Sequence, residues 1–207
     1  MSHTTPNILL LQSDQHAAGA MSCAGHRVVK TPNMDRLAAA GMHFCDTYCP
    51  TPLCQPSRAA SLTGRYGHNT GMTTNRGYLE DGEATLPQRL QEAGYHTNII
   101  GKIHLGLRVK PGDPACDEAL YGLGFSEAHP HLGKVVSGLR GGHDQYGRYL
   151  RERGVYERFR RDYEMRREPE KLHTYTAPSV LSEEDYHDAF ISRVTEQWIR
   201  SYERDEP

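Results

Sequence analysis

Cys54-Gln55-Pro56-Ser57-Arg58-Ala59-Ala60-Ser61-Leu62-Thr63-Gly64-Arg65 is the stretch from which the rest of the chain is read. Pro56 suits the first turn of a helix, where its missing N–H costs nothing. Ser57 to Leu62 continue as a short helix, and Gly64 closes it. Cys54 then sits at or just before the helix N-terminus, where unsatisfied N–H groups and the positive dipole end favour anions. Arg58 follows one turn later and can face the same side as Cys54. Its guanidinium fork matches the oxygens of a sulfate or phosphate. The same residues also fit a plainer structure, a buried cysteine beside an ordinary Pro-started helix.

The chain has 207 residues, with 24 Lys and Arg against 26 Asp and Glu, a net charge of −2. That near-balance gives no reason to expect a nucleic-acid or membrane partner. The hydrophobic content of 37% is low for a compact domain, and the polarity is concentrated late in the chain. No apolar run is long enough to span a bilayer. Met1 to Pro6 lacks the basic-then-apolar layout of a signal peptide, so the expected location is cytoplasmic. The cysteines are Cys23, Cys45, Cys49, Cys54 and Cys116, and an odd count without a secretion signal argues against a disulfide framework. The spacing of Cys45, Cys49 and Cys54 suggests a zinc site only weakly, because no Cys-x-x-Cys pair accompanies it. Cys45 and Cys49 read as small core residues.

Around this stretch the chain alternates strands and helices. Asn7 to Ser13 is an apolar run of the length of a strand buried on both faces, typical of a parallel sheet. Asp14 and Gln15 follow at its carboxyl end, where open α/β sheets place ligand sites. Thr31 as N-cap, Pro32 at N1 and Gly41 beyond the end frame a helix with Met34, Leu37 and Ala38 as its apolar stripe. Met42 to Tyr48 reads as a strand leading into the Cys54 loop. Arg65 to Asn75 is rich in Gly, Thr and Asn and reads as loop. It carries His68, read as structural, and Asn75, a polar group able to contact a substrate. Thr85 to Gly94 is a second capped helix, and Tyr95 to Gly101 the next strand. This alternation supports parallel pairing with right-handed crossovers. Just beyond, Lys102 and His104 fall on the same side of an extended segment.

These blocks together resemble the formylglycine-dependent sulfatases, within the alkaline-phosphatase-like superfamily. The resemblance rests on Pro6-Asn7-Ile8 through Asp14-Gln15, Thr31-Pro32-Asn33-x-Asp35-Arg36-Leu37-Ala38, and Cys54-x-Pro56-Ser57-Arg58 with its Leu62-Thr63-Gly64-Arg65. Gly101-Lys102-Ile103-His104-Leu105-Gly106 adds to it, departing from the family text with Ile103 where Trp is usual. The resemblance implies a mostly parallel central sheet flanked by helices. It implies that Cys54 is converted to Cα-formylglycine by a maturation enzyme and binds a divalent cation together with Asp14 and Gln15. Hard oxygen ligands favour Ca²⁺, with Mg²⁺ or Mn²⁺ as alternatives. Gln15 stands where many relatives have an acid, similar to the choline-sulfatase and phosphonate-monoester-hydrolase branches. Arg58 and Lys102 would stabilise charge on the sulfate oxygens, and His104 would hold a formylglycine oxygen or move a proton. The implied substrate is a small sulfate ester, or a phosphonate or phosphodiester handled by the same formylglycine.

From Pro111 the resemblance thins. Residues 1–128 read as the N-terminal part of the catalytic domain, and 129–181 as a variable insert. Within that insert the Gly- and His-rich segment 130–143 reads as irregular, and His129, His131 and His143 have no compelling spacing. Arg148 to Arg167 reads as a solvated charged helix. Residues 182–207 read as a helix returning to the catalytic domain, with Ser182 as N-cap and Tyr186, Phe190, Val194, Trp198 and Tyr202 as a core-packing stripe. The family's second metal-ligand pair and later lysine have no counterpart here, so a truncated α/β fold with an open apolar sheet edge is expected. Weak turnover by this segment alone is expected with it. Three functions follow: a sulfatase-type hydrolase, a phosphonate or phosphodiester hydrolase, and a non-catalytic fragment or interaction module. A homo-oligomer is open for the full-length protein.

Overall fold

The computed structural model describes residues 5–79, 82–109, 113–139, 142–168 and 177–202. Helix α1 (Pro32–Ala40) starts on its proline as expected. Helix α2 (Cys54–Thr63) begins at Cys54 itself and ends at Gly64, which takes a left-handed φ of 68° and donates its N–H to the Ala60 carbonyl. Helix α3 (Leu86–Glu92) carries a full capping box. The Thr85 hydroxyl accepts from the Gln88 N–H, and the Gln88 side chain accepts from the Thr85 N–H. Strand β1 (Asn98–Lys102), helix α4 (Pro114–Gly122) and strand β2 (Glu127–His131) then form a β–α–β unit. The two strands pair in parallel, with Lys102 opposite His131. Of this unit the sequence reading foresees β1 alone; α4 and β2 lie where it sees a thinning resemblance and an irregular insert. Helices α5 (Lys134–Leu139), α6 (Gln145–Glu152), α7 (Tyr156–Arg166) and α8 (His187–Ser201) complete the chain.

Burial divides between two clusters. One joins α2, the loop at Met72, the residues after β1 and helix α4, through Ala59, Leu62, Met72, Ile103, Leu105, Cys116 and Leu120. Alternation after β1 turns Ile103 and Leu105 into this cluster, which leaves Lys102 and His104 for the other side. The second cluster is aromatic and joins α6, α7 and α8 through Tyr146, Leu150, Tyr156, Phe159 and Phe190. Full burial of each such side chain contributes about 1.5–3 kcal/mol. Helix α8 lies against β1 where Gly101 has no side chain, since a Cβ there would stand 3.4 Å from Ile191 Cδ1. The Trp198 indole N–H, donating to Glu127 at 2.7 Å, ties the same helix to β2. Among the described residues no helix is long and apolar enough to cross a membrane.

Several expectations are corrected. Asn7 to Ser13 forms no strand, and Ile8 to Leu11 are 61–72% exposed. A strand needs a neighbour for its N–H and C=O groups. Here the run pairs with no strand, and it and β1 both line an open cleft of about 2050 Å³. Met42 to Tyr48 likewise forms no strand, and Cys45 and Cys49 are exposed instead of buried. The α1 stripe is uncovered, with Leu37 66% exposed. The segment 130–143, read as irregular, holds the end of β2 and all of α5. The charged stretch read as one solvated helix is divided between two helices broken near Gly154, with Leu150, Tyr156 and Phe159 buried beneath the charges. Ser182 opens a short 3-10 turn, its hydroxyl donating to Asp185, and α8 starts later, at His187.

Candidate active site

The site is assembled at the start of α2. Leu53 is extended and its carbonyl accepts the first helical hydrogen bond, from Ser57. The N–H of Gln55 donates to Asn75 Oδ1 at 3.0 Å, so the loop side chain caps the helix that carries Cys54. That loop is itself pressed against the chain after β1. A Cβ on Gly106 would fall 2.7 Å from the Gly77 carbonyl oxygen and 2.9 Å from Met72 Cε. The glycine that ends the Lys102–Gly106 block is therefore required by a close approach of two loops.

Charged groups converge on Asp14. The Lys102 ammonium donates to one of its carboxylate oxygens and stands 3.9 Å from Cys54 Sγ. Arg58 Nη2 lies 3.8 Å from the other carboxylate oxygen, while Nη1 donates to the Lys102 carbonyl at 2.5 Å. That bond locks α2 to the end of β1. Partial burial works to raise the Asp14 carboxyl. The hydrogen bond and charge of Lys102, then Arg58 and His104, outweigh it, and the carboxyl ends below its usual value. His104 goes down mainly through burial, helped by the positive charges of Lys102 and Arg58 and opposed by Asp14. Neutral imidazole is thus its favoured form near neutral pH, able to accept a proton.

Among the described residues two non-glycines have positive φ, Gln15 at 50° and His104 at 40°. Both are sequence-selected site residues. Left-handed backbone at such positions costs of order 1–3 kcal/mol and persists where the surroundings over-determine it.

The structure therefore brings Asp14, Cys54, Arg58, Lys102 and His104 together, and Gln15 lines the same cleft. Asn75 also borders it, with its carbonyl oxygen committed to α2. Asp14 and Gln15 offer oxygen donors of the hard kind that suits Ca²⁺, Mg²⁺ or Mn²⁺. They fit such an ion in kind and fall short of the six or so ligands it takes. Among the described residues, no group of three or more His, Cys, Asp or Glu is placed to hold a metal ion.

A family profile described as Sulfatase matches residues 6–134, more than half of the chain. The chain belongs to the sulfatase family. It is 45% identical over 100 residues to an N-acetylglucosamine-6-O-sulfatase of Bacteroides thetaiotaomicron, covering 48% of this chain and 18% of that sulfatase. It is 47% identical over 116 residues to the N-acetylgalactosamine-6-sulfatase of Canis lupus familiaris, covering 50% of this chain and 22% of the relative. The chain thus spans about a fifth of the length of these sulfatases. Its fold superposes on the crystal structure of the phosphonate monoester hydrolase of Agrobacterium radiobacter with a TM-score of 0.71 and 26% identity. That match takes in 97% of this chain and 39% of the hydrolase. The α/β fold expected from the sequence is the fold observed.

Two features of this site escape sequence reading. The helix-capping role of Asn75 depends on a fold of loop 71–78 that no local pattern announces. The residues after β2, Leu132 to Lys134, also border the cleft, because β2 runs parallel to β1 and ends beside Lys102. Their sequence, Leu132-Gly133-Lys134, lies in the Gly- and His-rich stretch and carries no pattern that marks a site.

Proposed function

We propose that this chain carries the nucleophile side of a sulfatase-type active site that hydrolyses sulfate esters. The observation that carries the reading is the placement of Lys102 Nζ between Asp14 and Cys54 Sγ, with Arg58 on the same carboxylate. Positive charge is gathered around a small side chain at a helix N-terminus, the arrangement that binds a tetrahedral oxyanion. Arg58 and Lys102 would hold the non-bridging oxygens of the ester. His104, favoured neutral, would take or return the proton as the alcohol leaves and sulfate is released. Converted to formylglycine, Cys54 would present oxygen instead of sulfur, a donor that joins Asp14 and Gln15 around a hard divalent cation. When bound, the cation would supply Lewis-acid stabilisation of developing negative charge. In this reading residues 1–128 hold the catalytic groups, 129–181 are a variable insert, and 182–207 return to the catalytic domain.

A second reading, hydrolysis of a phosphonate monoester or phosphodiester at the same site, is favoured by the superposition on the phosphonate monoester hydrolase and by the neutral Gln15. One assay separates the two. The protein, co-produced with a formylglycine-generating enzyme, is offered an aryl sulfate and an aryl phosphonate monoester, alongside the Cys54→Ala variant. Faster release from the sulfate, abolished in Cys54→Ala, is the expected result. Preference for the phosphonate selects the second reading, and undiminished hydrolysis in Cys54→Ala rejects the nucleophile assignment.

A further inference from the structure

We propose that Gly133 is a positioning residue that fixes the course of the Lys102 side chain. The functional part rests on the oxyanion-binding role given to Lys102 above, and the geometry stands apart from it. In the parallel register Lys102 lies opposite His131, so the chain leaving β2 passes alongside the lysine stem. Gly133 has a φ of +82°, and a Cβ built on it would stand 3.1 Å from Lys102 Cδ, 3.4 Å from Cγ and 3.6 Å from Cε. The missing side chain leaves a channel for three consecutive methylenes, which end in the ammonium at Asp14 and Cys54.

The wall of that channel is pinned. The Leu132 N–H donates to Asp144 Oδ2 at 2.9 Å, and the Gly133 carbonyl accepts from Ser137 N at 3.0 Å. Asp144 is 1% exposed and also accepts from the Ser137 hydroxyl at 2.7 Å and from Gly147 N at 3.0 Å. A backbone held by a buried, fully engaged carboxylate gives way less readily than a lysine stem. A Cβ at position 133 therefore pushes the stem aside and leaves the loop where it is. A lysine is otherwise a flexible point charge on a long tether, so a wall along its stem is what turns it into a directed donor.

The test uses two readouts on Gly133→Ala, with Gly154→Ala as control. Gly154 has a similar left-handed φ of +68° and nothing within 4 Å of a built Cβ, so it carries the backbone strain without the contact. Gly133→Asn covers the case in which the alanine variant does not fold, since asparagine tolerates left-handed backbone better. The first readout is acetylation of Lys102 by a succinimidyl ester, followed by peptide mass spectrometry. It is expected to accelerate several-fold in either position-133 variant and to stay at the native rate in Gly154→Ala. The second is calorimetric binding of inorganic sulfate, expected to weaken several-fold at position 133 as the stem gives way by a few tenths of an ångström. Unchanged Lys102 labelling overturns the proposal. Faster labelling with undiminished sulfate binding keeps the channel and overturns its role at the site. Faster labelling in a protein whose native form binds no sulfate supports the channel and rejects the oxyanion reading of Lys102.

Discussion

Asp14 and Cys54 meet at one ion-paired site but reach it from different surroundings. No residue between 5 and 54 is buried, and Asp14 follows an extended run whose leucines face open space. Cys54 opens a helix with Gln55, Pro56, Ala59, Ala60 and Leu62 buried, capped by Asn75 and locked to β1 through Arg58. Beyond it, Phe190 packs against the rings of Tyr149, Tyr146 and His131 at 4.8, 5.4 and 5.3 Å between centroids. The difference teaches that the charges at this site are positioned from one side. The α2, β1 and β2 framework fixes Cys54, Arg58 and Lys102, and electrostatic attraction then draws Asp14 to them.

The largest expected effect lies in the packed region. Phe190→Ala removes a ring that is 6% exposed and leaves a cavity among aromatics, so urea unfolding is expected to show a loss of about 3–5 kcal/mol. Next is the site. Removing the ammonium in Lys102→Ala is expected to lower turnover of an aryl sulfate by about 10²–10³, as for other oxyanion donors, with little change in thermal stability. A large drop in melting temperature instead would mean that the ion pair holds Asp14 to the fold more than it serves the chemistry.

The third effect is pH-dependent. Burial, with the positive charge of neighbouring His131, pushes His187 down from 6.5 to about 4, opposed by Asp144 and followed by Lys134 and Lys102. His131 is lowered in the same direction, also chiefly by burial. The unfolded chain therefore binds protons first as pH falls. Stability is complete above about 6.5 and is lost progressively toward pH 4, by on the order of 3 kcal/mol for His187. Unfolding midpoints of the native protein and His187→Gln measured across that range check this, with the variant expected to show the shallower slope. The smallest effect belongs to the open region. Leu10→Ser, at a side chain 72% exposed, is expected to change stability by no more than about 0.5 kcal/mol. A loss of several times that would place Leu10 under cover in solution and erase the contrast.

The legible and illegible parts of the chain divide along the same line. Helix starts at Pro32 and Thr85 and the stop at Gly64 follow from local chemistry, and local chemistry is what a sequence displays. Asp14, Cys54, Arg58, Lys102 and His104 were found through motif text, and the structure draws them to one place. Asn7 to Ser13 has the composition of a buried strand, yet a strand is made by its neighbours, and periodicity says nothing of whether they are present. Tyr146 and Phe159 were hidden among arginines because long charged stems cover apolar surface while their heads stay in water. The contacts of Asn75 and Gly133 depend on residues 20 and 31 positions away, beyond any local pattern.

Cys54 itself offers the most direct test. The protein is produced with and without a formylglycine-generating enzyme, digested, and the peptide spanning Cys54 is weighed before and after reaction with a carbonyl-specific hydrazine. The account predicts a peptide in which the thiol has been exchanged for an aldehyde, reactive toward the hydrazine and absent without the enzyme. A peptide that keeps its thiol in full under co-production contradicts the reading of this helix terminus as the nucleophile side of a sulfatase.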